Sequence, residues 1–121
     1  MQQDELEPLR KAVEGLTYPS ESDEPFDVVR WDAKGTAHDQ VAAHAGNGKK
    51  IEPVPVDAFF SQLDDSNDAD RFHALRRVLQ STLTDLQIFR AADGGAEVDV
   101  YLIGRLPSGA WAGLHTISVE T

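Results

Sequence analysis

Leu6, Leu9, Val13 and Leu16 recur at steps of three, four and three residues, a spacing that places them on one stripe of a helix. Pro8 falls in the first turn, where its missing N–H is tolerated, and Asp4 is the expected cap. Residues 17–25 break the pattern with Pro19 and Pro25 and read as a loop carrying Glu21, Asp23 and Glu24. Phe26, Val28, Val29 and Trp31 then fit a short buried or half-buried strand. A short helix is expected over 38–45 around Val41, with Gly46, Asn47 and Gly48 as a turn and Lys49 and Lys50 as its solvated flank.

Beyond the turn, Asp57 is expected to cap a short helix containing Phe59, Phe60 and Leu63, entered through Pro53 and Pro55. Phe72, Leu75, Leu79, Leu83 and Leu86 predict a longer amphipathic helix, with Asp64, Asp65, Asp68 and Asp70 favourably placed at its N-terminus. The last third changes period. Residues 87–91, 97–105 and 111–120 read as strands, and in the middle one Val98, Val100 and Leu102 alternate with Asp99, Tyr101 and Ile103. One face of that strand is wholly apolar and the other is mixed, so helices are expected on both sides of the sheet. Asp93, Gly94 and Gly95 mark one turn; Pro107, Ser108 and Gly109 mark a tight hairpin, which makes the pairing antiparallel. The fold class that results is α+β, with a mainly antiparallel sheet of about four strands in a single domain spanning 1–121.

Length and composition agree with that reading. A chain of 121 residues accommodates one hydrophobic core and not comfortably two. With no cysteine, disulfides, thiolate metal sites and cysteine nucleophiles are excluded together. No run approaches the length of a membrane span, and the N-terminus lacks the basic and apolar regions of a secretion signal, so the cytoplasm is the expected location.

Charge narrows the function further. Asp and Glu number 21 against 11 Lys and Arg, a net charge of −10, which argues against direct binding of nucleic acid; by itself such charge fits plain solubility first, and it can also steer the protein toward a basic partner. His38, His44, His73 and His115 include no pair at helical ligand spacing, and His115 reads as a packed or hydrogen-bonded strand residue. None of the seven serines lies in a nucleophile-elbow context, and Gly94 and Gly95 do not form a phosphate loop. No metal, cofactor or catalytic residue is therefore expected, and the chain reads as a non-enzyme. Two features stand out instead: the proline-stiffened acidic loop, and strand periodicity running through Ile117 and Val119 so that Glu120 and Thr121 project from structured backbone.

Several pieces occur in one order along nearly the whole chain. They are the Leu-rich first helix; Ser20, Glu21 and Ser22 followed by Pro25 and Phe26; Asp57 with Phe59 and Phe60; Val98, Asp99, Val100 and Tyr101 with Ile103 and Gly104; Ala112 and Gly113; and Val119, Glu120 and Thr121. In their collinearity and spacing they resemble the nuclease A inhibitors of bacteria. The resemblance implies a helix/sheet/helix sandwich similar to the plant pathogenesis-related proteins. It also implies inhibition of a sugar-nonspecific DNA/RNA endonuclease, with Glu21 and Thr121 entering the nuclease active site and Thr121 lying beside the nuclease's magnesium. Asp23, Glu24 and Glu120 are then secondary electrostatic contacts, and the free inhibitor is expected to be a monomer. The segment 62–68 departs from the family in lacking the tryptophan that members offer the nuclease there. An acidic module or DNA mimic that binds another basic protein is the alternative reading, and a small hydrolase using surface carboxylates ranks below both.

Overall fold

A computed structural model of the chain describes residues 5–32, 34–46 and 48–120. The order of elements is α1 (Glu7–Val13), β1 (Thr17–Tyr18), β2 (Glu24–Pro25), β3 (Asp27–Trp31), α2 (Ala37–Ala45), β4 (Lys50–Val54), α3 (Val56–Ser61), α4 (Ala69–Thr82), β5 (Thr84–Ala92), β6 (Glu97–Arg105) and β7 (Trp111–Val119). Strands β3, β7, β6, β5 and β4 form one antiparallel sheet in that spatial order, while β1 and β2 pair separately as a small hairpin.

Alternation along the strands divides the interior into two layers. Ile88, Val100, Leu102 and Leu114 face the layer filled by Leu9 of α1, Phe59 and Phe60 of α3, and Phe72, Leu75 and Leu79 of α4. Phe89, Tyr101, Ile103 and Trp111 face the opposite way, against Ala37, Val41 and Ala45 of α2. The class is thus α+β, with helices on both faces of the sheet. Helix α2 begins with a capping box: Thr36 Oγ1 accepts from the Asp39 N–H at 3.1 Å and Asp39 Oδ2 accepts from the Thr36 N–H at 3.0 Å. The Thr36 N–H that binds Asp39 holds its carboxyl below the ordinary aspartate value.

Five expectations are corrected. The sheet has five strands, not four, because 50–54 forms the edge strand β4 despite Pro53; an edge position leaves one flank without a ladder, where a missing N–H costs least. Lys49 is not simply solvated flank, since its ammonium lies 2.5 Å from Asp99. Residues 17–25 are not wholly loop, because Thr17 pairs with Pro25 and Tyr18 with Glu24. The cap position of α3 is Pro55, and Asp57 is the second residue of its first turn, where it pairs with Arg76. Finally, α4 ends at Thr82; Leu83 is extended and Leu86 belongs to β5, so the apolar stripe outlasts the helix. The Asp4 cap and the Asn47 turn position lie outside the described residues.

Candidate functional site

The acidic loop is stitched to the end of β7. Its stem is closed by the β1–β2 bridge, and Thr116 Oγ1 donates to the Pro25 carbonyl at 2.9 Å. At the tip, the Val119 N–H donates to Ser20 Oγ at 3.0 Å and the Glu21 N–H donates to the Val119 carbonyl at 3.2 Å. Ser20 Oγ in turn donates to the Ser22 carbonyl at 2.7 Å, and Ser22 Oγ donates to a Glu24 carboxylate oxygen at 3.0 Å. Two segments nearly a hundred positions apart therefore act as one piece of backbone.

This stitching fixes where the candidate residues lie. Glu21 and Asp23 are exposed on the loop; Glu24 is half-buried in β2 with its carboxylate turned to Ser22. Glu120 follows β7 directly, and its N–H donates to the Ala96 carbonyl at 2.7 Å. Thr121 lies outside the described residues. Glu21 and Glu120 are thus brought to the same end of β7, Glu21 through its backbone bond to Val119 and Glu120 as the next residue.

The side chain of Glu120 is engaged within the protein. One carboxylate oxygen accepts from Arg90 at 2.6 Å and the other from Ser118 Oγ at 2.8 Å. The Arg90 hydrogen bond holds its carboxyl below the usual glutamate range, against the opposing effect of partial burial. Beneath the loop, burial raises the pKa of the Tyr18 phenol, whose oxygen accepts from Gln62 Nε2 at 3.3 Å. A carboxyl whose pKa falls on folding stabilises the native state above its ordinary pKa, and that contribution disappears as pH drops through the folded value. Unfolding free energy is accordingly expected to decline as pH falls below about 4, with part of the slope removed in Arg90→Met. Urea titrations of both proteins across that range check this; identical slopes would mean the Arg90 bond does not hold the carboxyl.

Sequence reading missed the other wall of the site. A hollow of about 300 Å³ separates the loop from the turn before α4, with Asp23 on one side, Asp65 and Asp68 on the other, and Pro19 and Phe72 among its lining. Asp64 is diverted to His73, 2.7 Å away. Nothing in the sequence placed Asp65 and Asp68 opposite Asp23, and no periodicity connects Ser20, Arg90 or Ser118 to the acidic loop. At the other end of β7 a second hollow, of about 360 Å³, is lined by Arg30, Lys34 and Arg105. The carboxylate-rich and cation-bearing ends are therefore separated by the length of the strand, nine residues from Trp111 to Val119, about 26 Å.

Elsewhere, His115 is held as a strand residue with hydrogen-bonding partners: its Nε2 lies 3.0 Å from Asp99, which also meets Lys49. Burial would raise the Asp99 carboxyl, but Lys49 and His115 together keep it below its ordinary value. Burial and the Asp99 charge push the neighbouring Tyr101 phenol up to about 12. Among the described residues, no group of three or more His, Cys, Asp or Glu is placed to hold a metal ion, and no helix is long and apolar enough to cross a membrane. What the loop can do is present rigid negative charge to a positive surface.

Residues 3–121 match the family described as nuclease A inhibitor-like protein, a span covering nearly the entire chain. No curated protein matches the chain.

Proposed function

Because the chain belongs to the nuclease A inhibitor-like family, whose name implies a nuclease as its protein partner, we propose that it inhibits a sugar-nonspecific DNA/RNA endonuclease by filling the active-site cleft with the acidic loop and the residues following β7. Glu21 pairs with the Arg or Lys groups that otherwise hold substrate phosphate, through charge-assisted hydrogen bonds. Thr121 lies beside the nuclease's magnesium, a hard cation that takes oxygen ligands directly or through water. Asp23, Glu24 and Glu120 add longer-range attraction. Glu24 and Glu120 do so weakly, because Ser22 holds one carboxylate and Arg90 with Ser118 holds the other. The protein itself performs no catalysis in this reading.

The observation that supports it is the paired hydrogen bonding between the Ser20–Glu21 backbone region and Val119. It holds Glu21 against Val119, the residue two positions before Thr121 in the sequence, which supports the reading that the loop and the chain following β7 enter one cleft. Such an arrangement also lowers the entropy lost on binding, because the loop is ordered before the partner arrives.

Adding the protein to a magnesium-dependent nonspecific nuclease is expected to suppress cleavage of both DNA and RNA. Glu21→Ala and removal of Thr121 should each weaken inhibition by about 1 to 3 kcal/mol. Unaltered potency in both variants would refute the mechanism. Capture from a lysate of some other basic DNA-binding protein, with no effect on nuclease activity, would instead favour the acidic-module alternative.

A further inference from the structure

The hydroxyl of Ser20 occupies a position that no reading of charge would single out. It accepts the Val119 N–H at 3.0 Å and donates to the Ser22 carbonyl at 2.7 Å, so one atom joins the two halves of the acidic loop to the sheet. Val119 is the last residue of β7, and its register partner across the sheet is Glu97 at the start of β6. Its carbonyl receives the Glu21 N–H. Ser20 is thus the side chain that completes a small extra rung beyond the β1–β2 hairpin. Without its hydroxyl the Val119 N–H loses the Ser20 oxygen, while the backbone bond from Glu21 to β7 remains.

Resting on the inhibitory reading above, we propose that Ser20 is a positioning residue for inhibition: it holds Glu21 beside the end of β7 at Val119 and Glu120, and so lets the loop and the strand end reach a cleft together. The residue touches neither metal nor basic group of the partner. It acts by removing loop freedom before association, which is felt chiefly in how long the complex lasts. Exposed loops ordered by few contacts open readily on their own, so a single side-chain hydrogen bond at the tip has leverage that the same bond in the core would lack.

Ser20→Ala is the direct test, with Ser20→Thr as the conservative variant that keeps the hydroxyl. Hydrogen exchange is read first, on the free protein. In Ser20→Ala the Val119 and Glu21 amides are expected to exchange about tenfold faster or more, while Val100 and Leu114 in the centre of the sheet keep their wild-type rates. In the nuclease assay the same variant should inhibit about tenfold less well through faster dissociation, and Ser20→Thr should restore most of the loss.

A double-mutant cycle separates positioning from general weakening. In the Glu21→Ala background, Ser20→Ala should cost well under half of its own fold-change, because the contact it positions is already gone. Equal losses in both backgrounds, or unchanged exchange at Val119 and Glu21, would overturn the proposal. If wild-type protein inhibits no magnesium nuclease, the functional reading fails and the positioning role fails with it. The exchange result still decides independently whether Ser20 clamps the loop.

Discussion

Gly113→Ala is expected to remove about 4 kcal/mol or more of stability, enough to unfold a large share of a protein whose total margin is on the order of 5–15 kcal/mol. Gly113 lies in β7 between Val29 of β3 and Ile103 of β6, inside the sheet and paired on both sides. Its φ of 154° is one that side chains rarely adopt, and an added Cβ would run into the Leu102 carbonyl oxygen and come within 2.9 Å of the Ile103 Cα. Both obstacles are backbone. No flexible side chain can move aside, so relief requires opening the β6–β7 ladder or shifting its register, and a shift by one residue would turn every side chain of β7 to the wrong layer.

Gly109→Ala supplies the comparison. Gly109 also has positive φ, at 93°, but sits in the hairpin with nothing within 4 Å of an added Cβ. It should cost only the backbone penalty of about 1 to 2 kcal/mol. Urea unfolding of the three proteins, with far-ultraviolet circular dichroism as the signal, measures both. Comparable losses in the two variants would show that the Gly113 contact is relieved by small movements.

The second large effect concerns binding. Glu21→Lys should weaken nuclease inhibition by at least a thousandfold, about 4 kcal/mol, because it replaces an attraction with a repulsion inside a cationic cleft. The fold should hold, since the backbone bond from Glu21 to Val119 does not depend on the side chain. Asp32→Lys makes the same change of charge beyond the other end of β3, near Arg30 and Lys34. Its effect should stay within a fewfold. Raising salt should slow association of the wild type, as exposed charges are screened beyond about 8 Å at physiological ionic strength. With Asp65 and Asp68 facing Asp23 across the hollow, the binding face on this reading is strongly acidic, so that salt dependence should be steep. If Glu21→Lys and Asp32→Lys weaken inhibition equally, net charge and not the loop is responsible.

The family, and with it a nuclease as the general class of partner, was legible from collinear short pieces; the strand 97–105 was legible from its alternating residues, and the last strand, read as 111–120, ends one residue earlier at Val119. Both faces of β6 are covered, with Leu102 and Ile103 fully buried in separate layers, so the strand reads as a short, nearly continuous apolar run with polar residues only near its ends. The helix stripes of α1 and α4 were equally plain. Boundaries were less so: Leu83 and Leu86 continue a helical spacing, and local pattern cannot tell a last helical turn from the first residues of a strand that shares the same core.

Only the tertiary structure decided the rest. Pro53 argues against a strand unless one knows that 50–54 will lie at an edge, and edge position belongs to the assembled sheet. The loop acids were visible as charge, but their geometry comes from Ser20 meeting Val119 across 99 positions, from Arg90 reaching Glu120 across 30, and from the turn before α4 folding opposite Asp23. Hydrophobic periodicity records which face of an element is buried, because burial depends on side chains a few residues apart. It holds no record of which distant hydrogen-bonding groups the closed fold brings within 3 Å, and that contact is what gives the acidic loop a fixed direction.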